Sequence, residues 1–324
     1  MNRRFFSTTL ALLAGLLMAT TAQAADFLKF TGGPSGGTFQ YFSSGMSGYL
    51  SKETKGLKVS NQASRGSVEN IRKIDSGRAD YGIAYSGDLY LARNGKLSGD
   101  DKKYLNARAV SFLYKAPAQL VVLKGSDIMK VEDLKGKKVA LGGPGSGAAA
   151  SAERFFRTVG LWDEIDRQFL GYSKAADAMK DGHIDAMWIL AGYPTRAVIE
   201  LAATKEVRLL NLDEIAEAKG LYRDMPFYQK LKIPANTYEG VTTETSSFFD
   251  SALWIASHKV KDDVMHRSIE IIYSDKGLAH LISVKKTAKQ MSVEGALTGI
   301  VTPVHPGAIK FWTEKGLSIA DNQK

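Results

Sequence analysis

The 324-residue sequence contains no cysteine, which excludes disulfides, thiolate metal sites and attachment of a lipid to an N-terminal cysteine. Its five histidines show neither an HExxH pattern nor close pairing, so no metal site is expected. After residue 24 there is no apolar run of the ~20 residues that a membrane-spanning helix needs. The chain is therefore expected to work without a metal ion, without a cofactor and without a membrane span beyond its N-terminal region.

The N-terminal region has the pattern of an export signal. Arg3 and Arg4 precede a short apolar stretch, and residues 22–24 read Ala-Gln-Ala, a small-x-small cleavage site. We therefore expect a signal peptide over residues 1–24, cleavage after Ala24 and a periplasmic location. An uncleaved membrane anchor is the alternative, and the arginine pair leaves both the general and the twin-arginine export routes open.

The charge of the remaining chain is moderately positive. Without the two signal arginines it has 41 basic and 34 acidic residues, spread along the sequence with no long basic block. Such a surface can help to attract anionic ligands, although a functionally neutral excess of solvated charge is the simpler interpretation. A role in nucleic-acid binding is not expected, because no motif combines basic and aromatic residues.

Two glycine-rich loops of nearly the same sequence each follow a strand-like run and precede a helix-like run. The first, residues 32–37, reads Gly-Gly-Pro-Ser-Gly-Gly, and the second, residues 142–147, reads Gly-Gly-Pro-Gly-Ser-Gly. Glycine lets the backbone turn tightly and places no Cβ between the amides and a guest. The start of the following helix offers unpaired N–H groups and the positive end of its dipole to an anion. If the two loops face each other, they can hold a small acid.

The segments around the two loops repeat one order of elements. Strand, helix, strand, helix and strand patterns run from residue 27 to 85 and again from residue 138 to 190, although any α/β protein offers some such coincidences. The repetition predicts two α/β lobes with a ligand beyond the carboxyl ends of the strands. Strands at 120–123 and 248–256 are expected to cross between the lobes as a hinge that permits closure.

Six motifs recur in order over nearly the whole chain after the signal: Gly36-Gly37-Thr38, Gly66-Ser67-Val68-Glu69-Asn70, Asp133-Leu134-Lys135-Gly136-Lys137, Gly143-Pro144-Gly145-Ser146-Gly147, Ile184-Asp185-Ala186 and His305-Pro306-Gly307-Ala308. Together they resemble the TAXI family, the solute-binding proteins of tripartite ATP-independent periplasmic (TRAP) transporters.

The resemblance implies a two-lobed type II periplasmic-binding-protein fold with a ligand cleft between the lobes. It implies no enzymatic activity and a monomer that delivers a small organic acid or amino acid, glutamate-like or dicarboxylate, to TRAP membrane subunits. The predicted division of the chain is residues 25–116 for the first part of lobe 1, 117–255 for lobe 2, and 256–324 for the return to lobe 1 and the C-terminal helices.

The candidate ligand-binding residues lie at helix starts, beside the hinge or after the last strand of the second lobe. They are Gly36, Gly37, Thr38, Arg65, Ser67, Asn70, Asp88, Tyr114, Ser146, Gly147, Trp188 and Tyr193. Helix-start hydroxyls and Asn70 either cap backbone N–H groups or turn toward the guest, with a cap favoured for Ser67 and ligand contact for Thr38 and Ser146. The aromatic side chains can wall a pocket, whereas core packing is the alternative for Trp188.

Two candidates depart from the commoner family pattern and bear most directly on the ligand. The guanidinium of Arg65 can form a bidentate hydrogen-bonded pair with a carboxylate, or Arg65 can be a solvated or salt-bridged surface residue. Asp88 can accept from an ammonium group, which would favour an amino acid, or it can cap a helix or pair with Arg65. The sequence leaves these alternatives open.

Two other classes of protein fit parts of the sequence. Residues 33–37 formally match the G-x-S-x-G elbow of serine hydrolases with Ser35 as nucleophile, but the loop follows the first strand and no histidine has an evident acidic partner. Residues 143–148 match the G-x-G-x-x-A loop of dinucleotide-binding folds. Exported proteins seldom meet dinucleotides, so this match is discounted. A ligand-sensing module for a membrane sensor would use the same cleft and hinge as a transport protein.

Overall fold

The computed structural model describes residues 26–34 and 37–324. The predicted signal peptide, the hydrolase candidate Ser35 and the site candidate Gly36 therefore lie outside the described residues.

The strands of the described chain form one twisted sheet. Their bounds are β1 Asp26–Thr31, β2 Leu57–Gln62, β3 Tyr81–Tyr85, β4 Ala107–Leu123, β5 Lys138–Ala140, β6 Asp166–Gln168, β7 Ala186–Leu190, β8 Val207–Leu209, β9 Gln229–Ile233 and β10 Thr245–Ser257. The order is β2-β1-β3-β10-β4-β7-β5-β6, with β8 beside β4 and β9 beside β10.

Helices cover the sheet and follow most of its strands. Their bounds are α1 Thr38–Glu53, α2 Ser67–Asp75, α3 Ser86–Arg93, α4 Gly147–Thr158, α5 Tyr172–Lys180, α6 Arg196–Ala202, α7 Asp213–Ala218, α8 Leu221–Asp224, α9 Asp262–Ile272, α10 Asp275–Val284 and α11 Pro306–Glu314. Helices on both faces explain why a central strand such as β3 is buried along its whole length.

The two halves of the sheet have the same topology, as the repeated sequence pattern predicts. In the first half β1 lies between β2 and β3 and is parallel to both, and in the second half β5 lies in the same way between β6 and β7. Each half also places a helix after its first strand, α1 and α4, with the glycine loop between strand and helix. The loops therefore lie at the carboxyl ends of equivalent strands.

Two long antiparallel strands connect the halves. The first part of β4 pairs with β10, and from Ala118 onward β4 pairs with β7 of the second half. β10 in turn pairs with β3 over Ala252 to Ala256. Both strands are almost entirely buried, which accounts for their apolar sequences. The predicted boundaries at residues 116 and 255 fall inside these strands, and the exact division into lobes stays a prediction.

The C-terminal helices pack on the first half. α9 and α10 contact α1, and α11 packs against α9. Trp312 of α11 donates from Nε1 to the carbonyl of Val110 at 2.8 Å, and Tyr273 donates from its hydroxyl to the carbonyl of Phe112 at 2.8 Å. The end of the chain thereby fixes the first part of β4 within the first lobe.

Candidate functional site

The loop of the second lobe is pressed against the first lobe. A Cβ added to Gly147 would overlap the ring of Tyr85 and lie 2.7 Å from Oδ2 of Asp88, which is closer than real Cβ contacts. A Cβ on Gly66, at the start of α2, would lie 4.0 Å from Cα of Ser146. The structure is therefore a closed arrangement in which the start of α4 lies directly on groups of the first lobe.

Tyr85 lies where the two lobes meet. Its hydroxyl donates to the carbonyl of Leu190 at the end of β7, 2.6 Å away, and so links β3 to the second lobe. Its ring centroid is 4.8 Å from that of Phe39 in the first turn of α1. Burial raises the pKa of Tyr85 well above its usual range, so the hydroxyl stays protonated and available as a donor. The starts of α1 and α4 therefore flank the same side chain.

Tyr114, one of the candidate ligand-binding residues, extends this aromatic layer beside the hinge. Its ring is 5.3 Å from that of Phe42 and 6.4 Å from that of Phe39, centroid to centroid. The hydroxyl is buried and has no well-formed hydrogen bond to the described residues, although the hydroxyls of Thr38 and Tyr85 lie near it. Burial raises the pKa of Tyr114 well above its usual range. Tyr114 thus places a buried hydroxyl between the start of α1 and the hinge.

The hydroxyl groups at the helix starts have mixed roles. Ser146 Oγ accepts from the N–H of Ala149 at 3.1 Å and caps α4, whereas we expected a ligand contact. Ser67 Oγ accepts from the N–H of Tyr85 at 2.9 Å instead of capping its own helix. Gly37 precedes α1 with no side-chain cap, which leaves the first N–H groups of that helix without a side-chain acceptor.

Asn70 is a buried connector between strand ends. Its Nδ2 donates to the carbonyls of Gly32 at 2.6 Å and Ile83 at 2.7 Å, and its Oδ1 accepts from the hydroxyl of Thr31 at 2.7 Å. These bonds use both donor hydrogens and one acceptor position of the amide. In this arrangement Asn70 holds the first glycine loop in place.

Replacing Asn70 with alanine is expected to lower the free energy of unfolding by about 3 kcal/mol, because two buried carbonyls and a hydroxyl lose their partner. Urea unfolding of the purified variant measures this loss. Asn94→Ala is the matched control, since Asn94 is exposed and its amide donates only to the carbonyl of Tyr90. Equal stability of the two variants would contradict the structural role of Asn70.

Arg65 lies at the rim of the contact between the lobes. Its side chain is 75% exposed, and its Nε is 3.9 Å from a carboxylate oxygen of Glu69. Its Cδ would be 3.9 Å from a Cβ on Gly145 in the loop of the second lobe. Arg65 is thus within reach of that loop without being enclosed by it.

The two remaining aromatic candidates lie apart from Tyr85. Trp188 is buried in the core of the second lobe, where it contacts Phe155 and donates from Nε1 to Ser151 Oγ at 2.9 Å. Tyr193 is partly buried after the end of β7 and borders a surface recess next to Lys115.

Asp88 takes part in a buried ion pair that joins the two lobes. Its Oδ1 accepts from Nη1 of Arg154 in α4 at 2.8 Å, and the carboxylate is fully buried. Arg154 also donates from Nε to the hydroxyl of Tyr228 at 2.8 Å. Burial alone would lower the pKa of Arg154, but Tyr228, Asp88 and Asp250 together raise it, so the guanidinium is charged. The partner of Asp88 is therefore Arg154 and not Arg65, which was one of the alternatives that the sequence left open.

A second buried carboxyl group adjoins this pair. Asp250 of β10 accepts from the N–H of Gly87 at 3.1 Å. Burial, helped by the nearby charge of Asp88, raises the pKa of Asp250 to about 8, against the opposing effect of Arg154. At neutral pH Asp250 is mostly protonated, so the cluster holds one negative and one positive charge.

Arg154 is not among the candidate residues that the sequence predicts. It lies seven residues, about two helical turns, after Gly147, so both residues share one face of α4. This spacing from Gly147 was the sequence feature that could have indicated Arg154 as a site residue. It is a weak indication, because an arginine within a helix usually faces solvent. Its contact with Asp88 joins residues 66 positions apart in the chain, which no local pattern reveals.

Across residues 26–34 and 37–324, His, Asp and Glu side chains form no group of three or more that could hold a metal ion. Among the helices of this described part, none combines the length and the hydrophobicity that a membrane crossing requires.

Two α/β lobes that share a sheet, are joined by the long strands β4 and β10 and meet where the start of α4 packs on Tyr85 and Asp88 have the two-lobed type II periplasmic-binding-protein fold. Two solved structures have a similar fold. The alkanesulfonate-binding protein SsuA from Xanthomonas axonopodis pv. citri, bound to MOPS, is similar with a TM-score of 0.51 and 17% identity over 91% of this chain and 92% of that one. XAC2383 from Xanthomonas citri, bound to ATP, is similar with a TM-score of 0.51 and 11% identity over 90% and 95%. By sequence, the chain belongs to the NMT1-like family, which it matches over residues 30–316.

The predicted membership of the TAXI family is wrong, and the assignment to TRAP membrane subunits falls with it. The match over residues 30–316 is to the NMT1-like family, and the similar structures include an alkanesulfonate-binding protein. The motifs behind the resemblance lie largely at junctions of strand, loop and helix, for example the loops before α1 and α4. Such junctions belong to the fold, so they do not identify the kind of transporter.

Proposed function

We propose that the chain is an exported, non-enzymatic solute-binding protein. It captures a small molecule with a carboxylate, an organic acid or an amino acid, between its lobes and delivers it to the membrane part of an import system. The observation that carries this proposal is the packing of the α4 start against Tyr85 and Asp88 of the opposite lobe. Two helix starts and a charged pair thereby converge on one interlobe position.

The mechanism begins with an open form, reached by bending in β4 and β10. Opening frees the start of α4 from Tyr85 and exposes the first N–H groups of α1 and α4. These N–H groups and the positive ends of the helix dipoles stabilise the negative charge of the solute. Closure then excludes water, which strengthens each polar contact inside the cleft. No covalent step is involved.

A thermal-shift screen of residues 25–324 against organic acids and amino acids tests the proposal, together with mass spectrometry of any molecule that co-purifies. We expect at least one carboxylate compound to raise the melting temperature, since a ligand that binds only the folded state stabilises it. The neutral amide of each active acid is the control and should have no effect. Stabilisation by the neutral compounds alone, or by none of the panel, would contradict the proposal.

Arg65 is proposed to contact the bound carboxylate from the rim of the cleft. Arg65→Ala should then weaken binding of the stabilising acid by roughly 10- to 100-fold, the scale of one charged hydrogen bond. Isothermal titration calorimetry measures the change. Arg223→Ala is the matched control, because Arg223 is 76% exposed and pairs with its neighbour Asp224. Unchanged affinity in Arg65→Ala would remove this residue from the site.

A further inference from the structure

The ion pair between Asp88 and Arg154 connects the two lobes at the candidate site. Asp88 lies in the first turn of α3, and Arg154 is in α4 on the other side of the contact. Oδ2 of Asp88 also lies at the start of α4, where a Cβ on Gly147 would be 2.7 Å from it. A carboxylate of the protein thus occupies the helix start that the sequence marks as an anion site.

The pair leaves two buried polar atoms without partners in the described part of the chain. Oδ2 of Asp88 accepts no hydrogen bond from these residues, and Nη2 of Arg154 donates none to them. An unpaired buried polar atom is costly, and here one atom needs a donor while the other needs an acceptor. A single solute that satisfies both must carry a donor and an acceptor, and next to these charges the best matches are an ammonium group and a carboxylate.

Charge balance points to the same kind of solute. Within residues 26–34 and 37–324, Arg154 is the one cation within 4.0 Å of the Asp88 carboxylate. A solute that offered only a carboxylate would take Arg154 away and leave Asp88 buried beside a second negative charge, which is strongly unfavourable. The other polar groups facing the pair are the hydroxyl of Tyr228 and the carboxyl of Asp250, and neither supplies a positive charge.

We infer that Asp88 and Arg154 select a zwitterionic solute, an α-amino acid with no net charge on its main-chain groups, over the corresponding simple acid. This inference rests on the proposed function and narrows its ligand class. Arg154 binds the carboxylate of the solute at the start of α4, and Asp88 binds its ammonium group. In the solute-free closed form the two side chains bind each other instead.

Calorimetry with matched ligand pairs tests this selection. The probes are L-glutamate with glutarate, L-glutamine with 4-carbamoylbutanoate, and L-leucine with 4-methylpentanoate, since each pair differs only by the ammonium group. For the pair whose amino acid binds tightest, we expect the simple acid to bind about 100-fold more weakly, the scale of a lost charged contact.

Two variants assign the selection to the pair. In Asp88→Asn the difference between amino acid and simple acid should fall below about 10-fold. In Arg154→Gln both the amino acid and the simple acid should bind more weakly than to wild type. Arg154→Lys keeps the positive charge but loses the planar, bidentate guanidinium, so it should recover part of the lost affinity. Arg157→Gln is the matched control, because Arg157 is an exposed arginine of the same helix paired with Glu153. It should leave all affinities unchanged.

The outcomes separate this inference from the proposed function. If simple acids bind wild type as tightly as their amino acids, carboxylate binding stands and the selection by Asp88 is refuted. If Asp88→Asn keeps the full preference for the amino acid, the inference also fails. If no carboxylate compound binds at all, the proposed function fails first and the inference with it. Urea unfolding of each variant verifies that it is folded before titration.

Discussion

Replacing Gly147 with alanine is expected to hold the lobes apart and to weaken solute binding roughly 10- to 100-fold, the cost of forcing a methyl group into a filled space. The new Cβ would overlap the ring of Tyr85 and press on Oδ2 of Asp88. Tyr85 has no room to yield, because its hydroxyl is bonded to the carbonyl of Leu190 in the other lobe. The methyl group therefore opposes the closed form and leaves the open form unaffected.

Small-angle scattering and calorimetry measure this effect together. Gly147→Ala should show a larger radius of gyration than wild type without solute, and it should contract less when a stabilising acid is added. Gly143→Ala is the matched control from the same loop, because a Cβ on Gly143 has no atom within 4 Å. Identical scattering curves and affinities for wild type and Gly147→Ala would mean that the interlobe contact has no part in binding.

The repeated lobe architecture could be predicted because it depends on local patterns. Alternating or continuous apolar runs, helical spacing and two similar glycine loops mark β1 through β3 and β5 through β7, and the structure places each group in the same strand order. The errors are in elements with weak local signals. The apolar pattern predicts the middle strand of the second half at residues 168–170, but β6 lies at Asp166–Gln168, since it is a short, largely exposed edge strand with few apolar residues.

The helix α3 has no counterpart in the prediction, and its position explains why. It starts directly after the buried strand β3, has no side-chain cap and has a glycine as its second residue. Its first turn is held by a contact from outside the segment, the bond from the N–H of Gly87 to Asp250. The residues that orient Asp88 are therefore set by a strand 163 positions away in the chain.

The candidate site, too, could be predicted only where it depends on local sequence. Loop composition pointed to the starts of α1 and α4, because glycine and helix dipoles act locally. The charged partner Arg154 and the buried carboxyl group of Asp250 depend on how the lobes meet, which one sequence does not reveal. The alternatives left open for single residues also depend on this packing: Ser146, for which a ligand contact was favoured, caps its helix, and Trp188 packs in a core, which was its alternative role.

The second large effect concerns Asp250 and pH. The pKa of this carboxyl is about 8 in the folded protein, compared with 3.8 for an unperturbed aspartate. Between these values the unfolded chain releases a proton that the folded protein retains, so this group's contribution to stability is complete below pH about 4 and is lost as the pH rises to about 8. The loss over that interval is roughly 5 kcal/mol, at about 1.4 kcal/mol for each unit of pKa difference.

Asp250→Asn removes this titration and keeps the shape of the side chain, whose amide oxygen can still accept from Gly87. We expect the variant to gain stability over wild type steadily from pH 4 to pH 8, with the two closest at pH 4. Urea unfolding at pH 4, 6 and 8 measures the difference, and Asp163→Asn, the same change at an exposed aspartate, controls for the general loss of a negative charge. A difference between Asp250→Asn and wild type that does not vary with pH would show that Asp250 is ionised in the folded protein. The buried cluster would then carry a net negative charge, and the charge balance that favours a zwitterionic solute would no longer hold.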